Sequence, residues 1–168
     1  MNMKQNRSRV VGSTSVLTAA FVALTSMAAP ALGTPASGFT AAQQWKGQYG
    51  PLDIKLKTDT FDLKIDSKGD SDVYVTRNAI AVGGQSGWHT HPGPSLVTVT
   101  IGEITVYDDQ TCRPARYHAG ETFIDHGDGH VHLLRNESSA AAETVAVQFI
   151  ARDGVRRIDA PQPTNCNF

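Results

Sequence analysis

Long apolar runs, cysteines, helical periodicity and surplus positive charge are all scarce in this chain, and each scarcity excludes something. Past residue 33 no apolar run is long enough to cross a bilayer as a helix. With residues 1–33 set aside, twelve basic residues face sixteen acidic ones, a net charge of −4. That balance draws the protein neither to nucleic acid nor to an anionic membrane. There is no GxSxG nucleophile turn, no phosphate-cradling loop, no cysteine–histidine pairing of the nucleophilic kind and no internal repeat. Helical patterning is absent past residue 33 except for a short candidate over residues 40–45. The two cysteines, Cys112 and Cys166, both follow residue 33, and in an oxidising compartment two cysteines predict one disulfide.

What the chain does have begins with an unusual opening. Lys4, Arg7 and Arg9 are the only charges among residues 1–33, an apolar run follows over residues 10–29, and Ala31-Leu32-Gly33 places small residues where signal peptidase reads. A charged n-region, an apolar h-region and a small-x-small site predict a secretory signal peptide over residues 1–33, cleavage before Thr34 and an extracellular protein. Residues 34–50, rich in Ala, Gly, Gln and Ser, read as a linker or loosely attached lead-in, and residues 51–168 as one domain.

Within that domain the period is two. Leu63 and Ile65 alternate with charged neighbours, residues 73–82 are rich in β-branched side chains, and residues 95–107 alternate almost strictly. Short strands separated by Gly, Pro and Asp turns predict an all-β sandwich or barrel. Val97, Val99 and Ile101 share one strand face, and Gly102-Glu103 reads as a hairpin turn that sets Ile101 opposite Ile104 and Val99 opposite Val106, with Thr98, Thr100, Thr105 and Tyr107 on the other face. Counted backward with the same period, Ser95, His91 and His89 fall on the core-facing parity.

All six histidines lie between positions 89 and 132. His89-Thr90-His91 on a strand points two imidazoles the same way, which is the beginning of a metal site. His132 lies in a β-like segment with Leu134 on its own face and offers a third ligand, while His126 and His130 flank the turn residues Gly127, Asp128 and Gly129. Asp125 and Asp128 read as turn residues or as partners of histidine ring nitrogens.

These residues resemble the cupin family. Gly83-x5-His89-x-His91-x3-Ser95-x6-Gly102 is similar to the first cupin motif, and Gly129-x2-His132-x3-Asn136 to the end of the second, with Gly120-Glu121 similar to its opening. The resemblance spans roughly residues 60–152. It implies a single antiparallel cupin-type β-barrel, the double-stranded β-helix or jelly roll, with a divalent metal (iron, zinc or manganese) held by His89, His91 and His132. Cupins also pair barrel edges into homodimers. The family's fourth ligand is a glutamate, and this chain has Ser95 there. Three readings follow: three histidines with water in the open positions, as in the thiol dioxygenases of the superfamily; substitution by His130, Gln148 or Glu103; or a site that holds no metal.

For function the resemblance leaves two classes open. One is a metal-dependent enzyme acting on a small molecule, an oxygenase with iron or an isomerase or lyase with zinc or manganese. The other is a non-catalytic small-ligand-binding barrel whose metal is structural or absent. With an ordinary imidazole, metal affinity would fall as pH drops through about 6.

Overall fold

The computed structural model describes residues 33–167, so the expected signal peptide, all but its last residue Gly33, lies outside the described residues. Among the described residues all regular structure is β: β1 (Ser37–Tyr49), β2 (Asp53–Lys57), β3 (Asp62–Asp66), β4 (Ser71–Gln85), β5 (His89–Thr90), β6 (Ser95–Ile101), β7 (Glu103–Asp108), β8 (Ala115–His118), β9 (Thr122–Asp125), β10 (His132–Arg135), β11 (Ala142–Ala151) and β12 (Ile158–Asp159). Among the described residues no helix is long and apolar enough to cross a membrane.

Ten strands form one antiparallel sheet that folds back on itself in two halves. One half runs β1-β4-β11-β6-β9 and the other β12-β5-β10-β7-β8, and they join where Gln85 of β4 pairs with Arg135 of β10. This is the antiparallel jelly-roll barrel that the motifs imply. β2 and β3 form a separate hairpin.

Alternation decides what each half turns inward. Ser95, Val97 and Val99 on β6 and Ala142, Thr144, Gln148 and Ile150 on β11 are all buried. One part of the interior is filled by Ile80, Val99, Ile104, Leu134 and Ala142, with Phe39, Val106, Tyr117 and Phe123 packed against them. The rest is left as a cavity of about 280 Å3. Burying such side chains stabilises the barrel by roughly 1.5–3 kcal/mol for each large one fully removed from water.

The other face of the second half is covered as well. Trp88, Tyr107 and Leu133 pack with Ala160 and Cys166 of the C-terminal tail. A Cys112–Cys166 disulfide, with Cα atoms 5.5 Å apart, fastens that tail. Trp88 is therefore a packing residue and does not line the cavity.

Two expectations about local structure give way. Residues 34–50, read as a linker or lead-in with a short helix candidate over 40–45, contain instead a 13-residue strand, β1, paired with β4 along its length. Most of its side chains stay exposed, so composition says little; the strand is held by main-chain bonds, which Ala and Gln supply as well as Val does. The Gly102-Glu103 hairpin does not form either. β6 pairs with β9 and β11 while β7 pairs with β8 and β10, so Gly102 is a corner where the chain passes between halves. Its φ is +73°, and a Cβ there would meet the Ala141 carbonyl oxygen at 2.8 Å. As a result Ile101 is exposed, while Ile104 and Thr105, on opposite faces of β7, are both buried.

Candidate metal centre

The pairing of β5 with β10 sets His132 directly opposite His89. Their ring centroids are 4.3 Å apart, and His91, two residues beyond His89, lies 4.8 Å from His89 and 5.4 Å from His132. One nitrogen from each of the three lies within 4.8 Å of the others. All three line the same cavity as Ser95.

Backbone carbonyls fix how two of the rings are turned. Nδ1 of His89 lies 2.8 Å from the Gly87 carbonyl oxygen, and Nδ1 of His91 lies 2.6 Å from that of Arg156. A carbonyl can only accept, so Nδ1 of each ring donates its hydrogen and Nε2 presents a lone pair. Burial keeps the imidazoles neutral. Desolvation pushes His89 far below its ordinary value, helped by the charges of His132 and Arg157. Desolvation also lowers His91 and takes His132 down to about 4, against the opposing pull of Asp125 in both cases. A neutral imidazole is the form that ligates a metal.

Asp125 adjoins the group; the sequence offered it as a turn residue or as a partner of histidine ring nitrogens, and the second reading fits its place here. It ends β9, directly across the ladder from Ser95 of β6, and is 3% exposed. Its Oδ1 accepts a hydrogen bond from the Gly127 amide at 3.0 Å and lies 3.5 Å from His130 Nδ1 and 3.7 Å from His132 Nδ1. Its Oδ2 lies 3.8 Å from His91 Nε2 and is buried without a hydrogen-bond partner, as is His132 Nδ1. A buried carboxylate oxygen with no donor is costly unless a cation meets it. Three neutral imidazoles and this oxygen form a donor set that suits zinc, iron or manganese. The legible signal was parity: Phe123 and Asp125 alternate onto the cavity face.

Of the three candidates for the missing glutamate, two are placed elsewhere or otherwise engaged. Glu103 pairs with His118 at 3.3 Å, away from the cavity. Gln148 lines the cavity, but both ends of its amide are bonded to Arg156. His130 lies 3.5 Å from Asp125 and stacks 5.9 Å from His132, and these three form a second group whose donor atoms lie within 4.8 Å of one another. Asn136 bonds the carbonyls of Ile80 and Ala140 and serves its turn.

With the His-x-His segment and His132 facing each other inside it, the barrel has the arrangement that the cupin-like motifs imply. No family model matches the chain, and no curated protein matches it. Among solved structures it resembles a conserved protein of unknown function from Streptococcus pyogenes (19% identity over 67% of this chain and 77% of that one, TM-score 0.42). It also resembles a polyketide cyclase from Streptomyces resistomycificus (16%, 54% and 63%, TM-score 0.45). A third likeness is to an uncharacterised protein with a double-stranded β-helix domain from Klebsiella pneumoniae (24%, 54% and 70%, TM-score 0.43). Overlaps of this size are a likeness of part of the fold and no more.

Proposed function

We propose that His89, His91 and His132, with Asp125 as the fourth protein ligand, hold one divalent metal ion that faces a small-molecule cavity. The observation that carries this reading is the unpartnered, buried Asp125 Oδ2 beside the Nε2 of His91. A divalent ion held there would act as a Lewis acid toward a donor atom of the ligand. The chain supplies the rest. Gly87 and Arg156 orient two imidazoles, Gly127 orients the carboxylate, and Phe39, Val97, Phe123 and Leu134 line the cavity with apolar surface. A cavity of about 280 Å3 admits only a small ligand.

Export is part of the proposal. A disulfide suits an oxidising compartment. Cleavage before Thr34 would leave an amine at a position that already donates to the Ala160 carbonyl at 3.1 Å, so the new terminus would begin at the barrel wall.

The test is calorimetric titration of untagged protein with zinc and with manganese. His132→Ala and Asp125→Asn should each weaken binding at least tenfold, whereas His118→Ala, outside the cavity, should leave it unchanged. Equal affinities across the wild type and these three variants would refute the site.

A further inference from the structure

The cavity has a second charged group that the metal reading does not use. Arg156 follows β11 by five residues, and its main-chain oxygen accepts from both His91 Nδ1 and Gln148 Nε2. Its side chain turns to the cavity wall. There Nε donates to Gln148 Oε1 at 3.1 Å, Nη2 donates to Thr76 Oγ1 at 3.0 Å, and Nη1 donates to Gln44 Oε1. The guanidinium lies 4.5 Å from the Tyr74 ring centroid. Four neutral contacts from three strands hold it in place, and none of them cancels its charge.

That is exceptional in this molecule. The other half-buried arginines all have a carboxylate within ion-pair distance: Arg77 has Glu143, Arg135 has Glu137, Arg152 has Asp70 and Asp72, and Arg157 has Asp159. Among the described residues Arg156 has none. The one acid lining the cavity is Asp125, which belongs to the histidine cluster. A fixed, partly desolvated guanidinium without a counter-ion is a ready partner for an anion, and its flat fork matches a carboxylate.

We infer that the cavity takes a small organic acid whose carboxylate pairs with Arg156 while its short carbon chain lies against Phe39, Val97 and Phe123. The volume of about 280 Å3 lies at the lower end of ordinary ligand pockets and suits a small acid. The inference deepens the proposed function, because a divalent ion would add to the positive charge in the cavity, but the contact with Arg156 does not require the metal.

The probes are straight-chain acids of two to five carbons, acetate to valerate, their amides and inorganic phosphate. Each is titrated by ligand-detected NMR into wild type, Arg156→Gln and Arg156→Lys, with zinc and after chelation. At least one acid should bind wild type about ten- to a hundredfold more tightly than its amide, as expected of a charge-assisted pair. Arg156→Gln should abolish that preference and Arg156→Lys should keep part of it. After chelation the acid should bind more weakly but still prefer Arg156, so a protein that fails to bind zinc leaves this comparison intact. Acid and amide bound equally by wild type, a measurement that needs no variant, would overturn the inference. So would undiminished acid binding in Arg156→Gln, or phosphate binding more tightly than every acid.

Discussion

Ser95 and Asp125 face each other across the β6–β9 ladder, and both are buried against the histidine cluster. Neighbouring strands in a sheet are about 4.8 Å apart, so a carboxylate carried by either residue reaches nearly the same point. The negative charge is thus displaced by one strand from where the family motif puts it, and a swap should work. Asp125→Asn should weaken zinc binding, and adding Ser95→Glu to that variant should recover much of the loss. Ser95→Glu alone should destabilise the metal-free protein, because it sets a second buried carboxylate beside the first. Calorimetry on the three variants checks this, and a double variant no better than Asp125→Asn would count against it. The pH dependence also follows from individual residues. Unfolded imidazoles take up protons near pH 6.5, whereas folded His132 resists until about 4, and His89 and His91 are lowered too. The unfolded state therefore binds more protons, and the metal-free protein should lose stability as pH falls from about 6.5 to about 4. Zinc affinity should decline less between pH 7 and 5 than it would with ordinary imidazoles. Urea denaturation and zinc titration at both pH values decide the matter.

At the scale of elements, the proposed metal ligands ride on short strands, and short strands need backing. β5 has two residues and β10 four, and behind them Trp88 and Leu133 press on the disulfide-fastened tail. The Trp88 amide also donates to Thr34 Oγ1 at 2.6 Å, and its carbonyl accepts from the Ala160 amide. Reduction of Cys112–Cys166 should lower stability by up to about 4 kcal/mol, given a sequence separation of 54. It should also weaken zinc binding, since β5 and β10 lose their cover. Urea midpoints and zinc affinities of oxidised and reduced protein test both points, and coincident midpoints would show that the tail carries no stability. The elements also show what the sequence could disclose. Parity along residues 89–99 placed His89, His91, Ser95, Val97 and Val99 on one face, because alternation is a local property and one side of β6 is buried. Partners were not legible. Nothing local to Gly102 distinguishes a hairpin from a corner, and nothing near Asp125 announces that its neighbour is Ser95, 30 positions earlier. β1 was missed because its stability comes from the β4 edge rather than from its own side chains. Arg156 was missed because its contacts reach back to Thr76 and Gln44.

For the whole molecule the organising strand is β4. It pairs with β1 on one side and β11 on the other, and its far end joins the two halves of the barrel at Gln85. The β4–β11 ladder matches Ser71 with Ala151 and Ile80 with Ala142, partners that are distant in sequence. Such pairings form late, because the intervening chain must be ordered first. A protein ending at Ala141 should therefore show no cooperative unfolding, although it contains His89, His91, Asp125 and His132. Circular dichroism melts of that truncation provide the check, and a sharp transition would contradict it. The same ladder sets a timetable for biosynthesis. When the ribosome has made β4, half of that strand's hydrogen-bonding groups have no partner yet. They must wait for some sixty more residues of the growing polypeptide, from Gln85 to Ala142 and beyond, so the proposed metal site would take shape in the completed chain and not in the nascent one.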